Sequence, residues 1–238
     1  MPAPHISVIV PTYNERDNLA PLAQRLFAVV NPSTTELLII DDDSPDGTAD
    51  VARELSDRYP LRCLVRRRER GLASAVIRGL HAAGGELCVV MDADLSHPPE
   101  TIPAMLALMR NPHVRMVVGS RFVRGGRLAS DWPFRRRLNS FVARLLAWPL
   151  TRVLDTMSGF FCVRRADLYL DRLRPIGYKI ALELIVRHGW RSVVEVPITF
   201  RDRTAGVSKL NVSEQLRYLR HLGRLYLHAA FGHIPGHS

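Results

Sequence analysis

Lysine is nearly absent from this chain. Of its 33 basic residues only Lys179 and Lys209 are lysines, so arginine carries almost all of a net charge of +10. In so arginine-rich a chain, a retained lysine points to a position that needs a compact ammonium. Cysteine is also scarce. Cys63, Cys88 and Cys162 are odd in number, widely spaced and set in apolar runs, which excludes a disulfide framework or a metal knuckle. Buried thiols and a reducing, cytosolic compartment are expected instead. Long apolar runs are missing: Leu138–Leu154 and Leu216–Phe231 are broken by Arg or His, and neither approaches the ~20 residues a membrane-crossing helix requires. No basic leader with an apolar core precedes the first apolar run, so no signal peptide is expected. The Gly-x-Gly-x-x-Gly phosphate loop is absent too, since that run ends in Pro11-Thr12-Tyr13-Asn14-Glu15, which argues against a dehydrogenase-type dinucleotide fold.

The 238 residues, 47% of them hydrophobic, are enough to bury a full core. Apolar runs with β-branched residues at Ile6–Val10, Leu37–Ile40, Leu61–Val65, Leu87–Met91 and Val114–Val118 predict strands. Helical periodicity fills the intervals Asp17–Val30, Thr48–Tyr59, Ala73–Ala83 and Glu100–Arg110. Such alternation implies mainly parallel strands with crossover helices, a Rossmann-like twisted sheet. After Gly119 it lapses into a basic loop, a helix over Phe134–Leu154, a strand at Phe160–Val163, a helix over Ile180–His188, a strand at Val193–Ile198 and a last basic helix. No linker or repeat interrupts the chain, so a single α/β domain is expected over 1–210, with the helix and tail of 211–238 part of it or packed on it.

Two acidic clusters stand at strand ends: Asp41-Asp42-Asp43 and Asp92-Ala93-Asp94. The carboxyl edge of an open α/β sheet is where ligands bind. Alternation points Asp92 and Asp94 to one side, where two carboxylates can share a divalent cation and bring it to a pyrophosphate. Oxygen-only ligands favour Mg²⁺ or Mn²⁺ over zinc. A carboxylate in such a loop can also cap the next helix, a role open to Asp46 and Ser44 before Thr48.

These residues resemble a known family. The stretches Val10-Pro11-Thr12-Tyr13-Asn14-Glu15, Asp41 through Thr48, Asp92-Ala93-Asp94-Leu95-Ser96-His97-Pro98, Gly119-Ser120-Arg121, Ser158-Gly159-Phe160, Gly177-Tyr178-Lys179 and Phe200 through Leu210 are similar, in order and spacing, to the family 2 glycosyltransferases of GT-A fold. Within them, the chain resembles the dolichol-phosphate mannose synthase and polyprenyl-phosphate glycosyltransferase group. The resemblance implies that Pro11, Tyr13, Glu15, Asp41 and Asp42 hold the base and ribose of a nucleotide-sugar donor, and that Asp92 and Asp94 hold metal and diphosphate. Members of the group often carry Gln where Ser96 stands, and a hydroxyl is the shorter and poorer metal ligand, so water completes the shell if Ser96 does not.

It further implies that Lys209, beside Arg203, neutralises the departing diphosphate, and that Arg121 and Arg136 form a second anion site for an acceptor phosphate. The role of Lys179 is left open. A phosphate monoester is largely dianionic at neutral pH, its second pKa lying near ~6, so it needs no strong base. A hydroxyl acceptor would need one, and Asp155 is the candidate, although it could equally orient the sugar or cap a turn. The expected reaction is inverting transfer of one sugar, mannose from GDP-mannose foremost, to a polyprenyl phosphate. Glucose or N-acetylglucosamine on UDP would use the same carboxylates, and a family 2 transferase with a hydroxyl acceptor is a further alternative.

The charge calls for an anionic partner: nucleic acid, acidic lipid or phosphorylated substrate. Nucleic-acid binding ranks last, because it leaves the paired aspartates without a role. Apolar and basic residues alternate on Phe134–Leu154 and on the last helix, where Leu216, Leu219, Leu222, Tyr226 and Ala230 share a face. Both can be ordinary core helices or can lie in an anionic membrane interface. A peripheral enzyme on the cytoplasmic face of a membrane, alone or with a membrane-protein partner, is expected.

Overall fold

A computed structural model of the chain describes residues 5–128, 134–174, 176–177, 179–200 and 212–232, and the side chains of all these except 128, 134–137 and 212–214. Along the chain run β1 (Ile6–Thr12), α1 (Arg16–Phe27), β2 (Thr35–Asp41), α2 (Thr48–Leu55), β3 (Leu61–Val65), α3 (Leu72–Ala82), β4 (Leu87–Val90), α4 (Ile102–Met109), β5 (Met116–Ser120), β6 (Arg127–Leu128), α5 (Phe134–Ala147), β7 (Phe161–Arg164), α6 (Ile180–Arg187), β8 (Val193–Pro197), β9 (Thr199–Phe200) and α7 (Val212–Phe231). Seven strands form one sheet in the order β3-β2-β1-β4-β7-β5-β8. β1 pairs in parallel with β2 and β4, β2 with β3, and β5 with β8. β7 alone runs antiparallel, wedged between β4 and β5. The expected mainly parallel α/β domain is the one found.

Strand alternation divides the core between the two faces of the sheet. Val8, Val10, Leu37, Ile39 and Val89 pack with Leu19, Leu22 and Leu26 of α1 and Ile102 and Met105 of α4. Ile9, Leu38, Ile40 and Val90 pack with Val76 and Leu80 of α3 and Leu184 and Ile185 of α6. At roughly 1.5–3 kcal/mol per buried large aliphatic side chain, these two layers supply the main favourable term in folding. A third cluster joins Ala143 and Ala147 of α5, Leu182 and Val186 of α6, and Tyr218, Leu222 and Leu225 of α7.

Several helices stop short of their periodic patterns. α5 ends at Ala147 rather than Leu154 because Pro149 cannot donate to the helix ladder and disfavours helical backbone just before it. α2 ends at Leu55, and single-turn bonds carry the chain from there to Tyr59. The three cysteines are free thiols in β3, β4 and β7, with Cys88 and Cys162 fully buried. Burial raises all three: Cys63, helped by the charge of Asp41, to about 11, and Cys88 to about 12. None is a thiolate nucleophile at neutral pH. No helix among the described residues is long and apolar enough to cross a membrane.

Candidate active site

The carboxyl ends of β1, β2, β4 and β5 converge on one edge of the sheet. The loops leaving β1, β2 and β4 each contain one non-glycine residue with left-handed backbone: Asn14 (φ 58°), Asp43 (φ 55°) and Leu95 (φ 60°). Asn and Asp tolerate this region, whereas leucine is strained there, and such strain persists only where surrounding contacts impose it. Those contacts are present. Asp41, fully buried, accepts from Thr12 Oγ1 (3.0 Å), Ser44 Oγ (2.6 Å) and the Ser44 amide (2.9 Å). Ser44 Oγ in turn accepts the Asn14 amide (3.0 Å), and Thr48 Oγ1 accepts that of Glu15 (3.0 Å). Asp46, not Ser44, serves the start of α2, taking the Thr48 amide (2.9 Å) and hydroxyl (2.6 Å). Burial alone would raise its carboxyl, but these bonds and the Arg16 amide outweigh that and lower it.

At the end of β4 the half-buried Asp92 and Asp94 flank buried Ala93. The Asp92 amide donates to Nδ1 of His97 (3.0 Å), which therefore carries its proton on Nε2. His97 is buried, with its ring stacked on Phe160 (5.3 Å between centres) and edge-on to Phe200 (6.1 Å). Asp94 Oδ1 accepts the Ser96 amide (3.1 Å), and Ser96 itself is buried. A Cβ built on Gly159 would stand 3.6 Å from Asp92 Oδ1, so the Ser158-Gly159-Phe160 segment lies directly beside this carboxylate. Its Ser158 Oγ donates to the Gly119 carbonyl (2.7 Å), fixing that segment to β5.

Hard carboxylate oxygens on either side of one residue suit a divalent cation. No group of three or more His, Cys, Asp or Glu that could hold a metal occurs among the described residues. Asp92 and Asp94 alone would offer such an ion two carboxylates at the end of β4.

Asp42 and Asp155, like Asp41, are engaged by the protein itself. Asp42 Oδ1 accepts from Nε (2.8 Å) and Nη2 of Arg66, and its Oδ2 accepts the Gly71 amide (2.7 Å). Asp155, the candidate base, is buried with both oxygens on Arg121: Nε (2.8 Å) and the amide (2.9 Å) on Oδ2, and Nη2 (2.7 Å) on Oδ1. Both carboxylate oxygens are thus occupied by Arg121, a paired geometry suited to orienting the guanidinium. Glu195 of β8 supports this pair by accepting the amides of Leu154 (2.8 Å) and Asp155 (3.0 Å). Arg66 and Glu195 did not emerge from the sequence, and no local signal marks them: their partners lie 24 and 40 residues away.

Of the other expected site residues, Pro11 lies half-buried one residue before the end of β1 and Tyr13 is 48% exposed just beyond it. Glu15 precedes α1 and accepts from Asn18 Nδ2 (2.6 Å). Lys179 is buried at the start of α6 with Nζ 5.4 Å from the centre of the Tyr218 ring. The side chain of Arg136, and all of Arg203 and Lys209, lie outside the described residues.

Comparison with known proteins identifies the family. The glycosyl transferase family 2 profile matches residues 7–169. The chain is 44% identical to the dolichol-phosphate mannosyltransferase of Pyrococcus furiosus, over 92% of its own length and 63% of the relative's. It is 42% identical to the proteins of that name from Mycosarcoma maydis, covering 98% of this chain and 82% of the relative, and from Saccharomyces cerevisiae, covering 93% and 86%. In fold it is similar to glucosyl-3-phosphoglycerate synthase of Mycobacterium tuberculosis solved with Mn²⁺, UDP and glucosyl-3-phosphoglycerate. The TM-score is 0.70 at 22% identity, over 99% of this chain and 82% of the other. The same enzyme with Mg²⁺ and UDP gives 0.70 at 21%, over 99% and 82%. Sheet order, the acidic edge of β4 and a match spanning more than half its residues place this chain in glycosyl transferase family 2, as a glycosyltransferase.

Proposed function

We propose that the enzyme transfers mannose from GDP-mannose to a dolichyl or other polyprenyl phosphate with inversion at the anomeric carbon. The observation that carries this reading is 42–44% identity to three dolichol-phosphate mannosyltransferases, together with the two half-buried aspartates at the carboxyl end of β4. A lipid phosphate oxygen attacks the anomeric carbon and forms the new C–O bond. The bond to the nucleoside diphosphate breaks, and its electron pair leaves with the diphosphate. A β-linked product from an α-linked donor is expected.

Pro11, Tyr13, Glu15 and Asp41 border the donor nucleoside, with Asp42 acting on it from behind. Asp92 and Asp94, with Ser96 or water, would hold Mg²⁺ or Mn²⁺, which supplies Lewis-acid stabilisation of the leaving diphosphate. Lys209 and Arg203 serve the same leaving group, while Arg121, aimed by Asp155, and Arg136 read the acceptor phosphate. No strong base is required, because the attacking group is already anionic.

The lipid acceptor is reached from a membrane surface, which the exposed faces of α5 and α7 suit. Phe141 and Leu145 on α5, Trp148 just after it, and Leu216, Leu219, Leu227 and Phe231 on α7 are exposed, with Arg220 and Arg224 also at the surface. Leu222 and Tyr218 are instead buried against α5 and α6, so α7 divides its apolar residues between core and surface. This pattern of arginine and apolar side chains supports peripheral binding to an anionic leaflet, which we assign to the cytoplasmic face. The test is a screen of GDP-mannose, UDP-glucose and UDP-N-acetylglucosamine against a short polyprenyl phosphate with Mg²⁺ or Mn²⁺, reading the lipid product by mass. Mannosyl lipid from GDP-mannose alone is expected; a glucosyl lipid from UDP-glucose alone would overturn the donor assignment.

A further inference from the structure

Arg66 stands one residue past β3, with its side chain 6% exposed, and joins the end of β2 to the segment that follows it. Its Nε and Nη2 bond Asp42 Oδ1, Nη2 also donates to the Gly71 carbonyl (3.0 Å), and Nη1 donates to Ser74 Oγ (2.9 Å). Asp42 Oδ2 closes the ring by accepting the Gly71 amide (2.7 Å), while the Arg66 amide is held by the Asp41 carbonyl (2.7 Å). Gly71 has φ 128°, a conformation strained for any side chain, so the ring closes at a residue that has to be glycine. Residues 66–71 are thus a strap clamped at both ends to the acidic end of β2.

A buried ion pair is an expensive way to hold a loop, since apolar packing of the same volume is often as stable; what such a pair supplies well is one fixed geometry. That geometry has an outward consequence. The strap carries exposed Arg70 to Tyr13 at the end of β1, with the guanidinium carbon 5.4 Å from the ring centre. An exposed cation–π contact is worth only about 0.5–1 kcal/mol. The strap, more than that contact, therefore keeps Arg70 beside the ring.

We propose that Arg66 is a positioning residue for the donor: with Asp42 and Gly71 it fixes the strap so that Arg70 forms a cationic wall beside Tyr13, against which the nucleoside diphosphate binds. The inference rests on the donor reading above and adds two residues to it. It also reassigns Asp42 from direct ligand to anchor.

Arg66→Lys cannot bond Asp42, Gly71 and Ser74 together, because one ammonium lacks the planar fork. The expected result is a donor KM raised roughly 10-fold, with kcat within about 2-fold and the acceptor KM unchanged, the signature of lost ground-state binding. Arg66→Met should lose more. Arg70→Ala, at an exposed position, should raise the donor KM roughly 5-fold without changing Tm. An Arg66→Lys enzyme that folds and keeps its donor KM overturns the proposal, as does a fall in kcat with KM unmoved. If the Arg66 variants do not fold, Arg70→Ala decides: an unchanged donor KM refutes the wall. Calorimetric titration with GDP and UDP in Mg²⁺ separates the two levels. A wild-type protein that binds neither defeats the donor reading itself, whereas wild type and variants binding alike defeat only the strap.

Discussion

At the scale of single residues, the site is a set of carboxylates sorted by what already holds them. Asp41 is held by Thr12 and Ser44, Asp42 by Arg66 and Gly71, and Asp155 by Arg121, while Asp92 and Asp94, the latter accepting the Ser96 amide, stand half-buried at the end of β4. Asp94→Asn should therefore keep the fold and lower transfer by at least roughly 100-fold, since stabilising a leaving phosphoryl oxygen by a cation is worth several kcal/mol. Circular dichroism and a product assay across Mg²⁺ concentrations check this, and an unchanged rate with unchanged metal dependence would contradict it. The thiols give an independent expectation. With Cys63 raised to about 11 and Cys88 to about 12, and Cys162 buried, the native protein should resist iodoacetamide at pH 8 while the unfolded chain reacts at all three. Rapid modification of the native protein, read by mass, would show that the strands bearing them open readily.

At the scale of elements, α7 is attached by a buried charge cluster. Glu183 of α6, fully buried, accepts from His221 Nε2 (2.5 Å), the Arg174 amide (2.7 Å) and Arg187, while Tyr218 and Tyr226 donate to carbonyls of α5 (2.7 Å each). Burial alone would raise the Glu183 carboxyl, but the bonds from His221, Arg174 and Arg187 prevail and lower it. A lowered acid contributes stability that is present above its unfolded pKa, near ~4.3, and is lost as pH falls through the folded value. Denaturant titrations should show wild type losing more stability than Glu183→Gln between about pH 5 and 2, and parallel losses would contradict it. Glu183→Ala at neutral pH should cost about 3–5 kcal/mol, because it strands buried partners.

This cluster also marks where the sequence ceased to be readable. Strands β1 to β5 were legible because each is an apolar run, and Asp92 and Asp94 because they close one of those runs. The antiparallel direction of β7 was not, since Phe161–Arg164 reads alike in either sense and its neighbours fix its direction. The end of α5 was written in Pro149 and overrun by periodicity. Arg66, Glu195 and the Glu183–His221 pair carry no local pattern, because only the folded chain brings residues 24 to 41 positions apart into contact.

At the scale of the whole molecule, the proposed substrate is at once anionic and apolar, and an arginine-rich surface with exposed apolar side chains suits both parts of it. The exposed side chains Leu145 (61%), Leu227 (61%) and Phe231 (80%) predict that the protein sediments with anionic vesicles, less so at high salt, and that Leu145→Asp with Phe231→Asp weakens this sharply. Sedimentation of that variant at the wild-type level would show that other surfaces bind the lipid.

The central claim, that the acceptor is a lipid phosphate, is tested most directly by offering the enzyme GDP-mannose and Mg²⁺ with either a short polyprenyl phosphate or the matching polyprenol, and measuring mannosyl lipid by mass. An anionic nucleophile needs no base, and Asp155 is tied to Arg121, so the account predicts turnover of the phosphate and none of the alcohol. Equal turnover of the two lipids would contradict it.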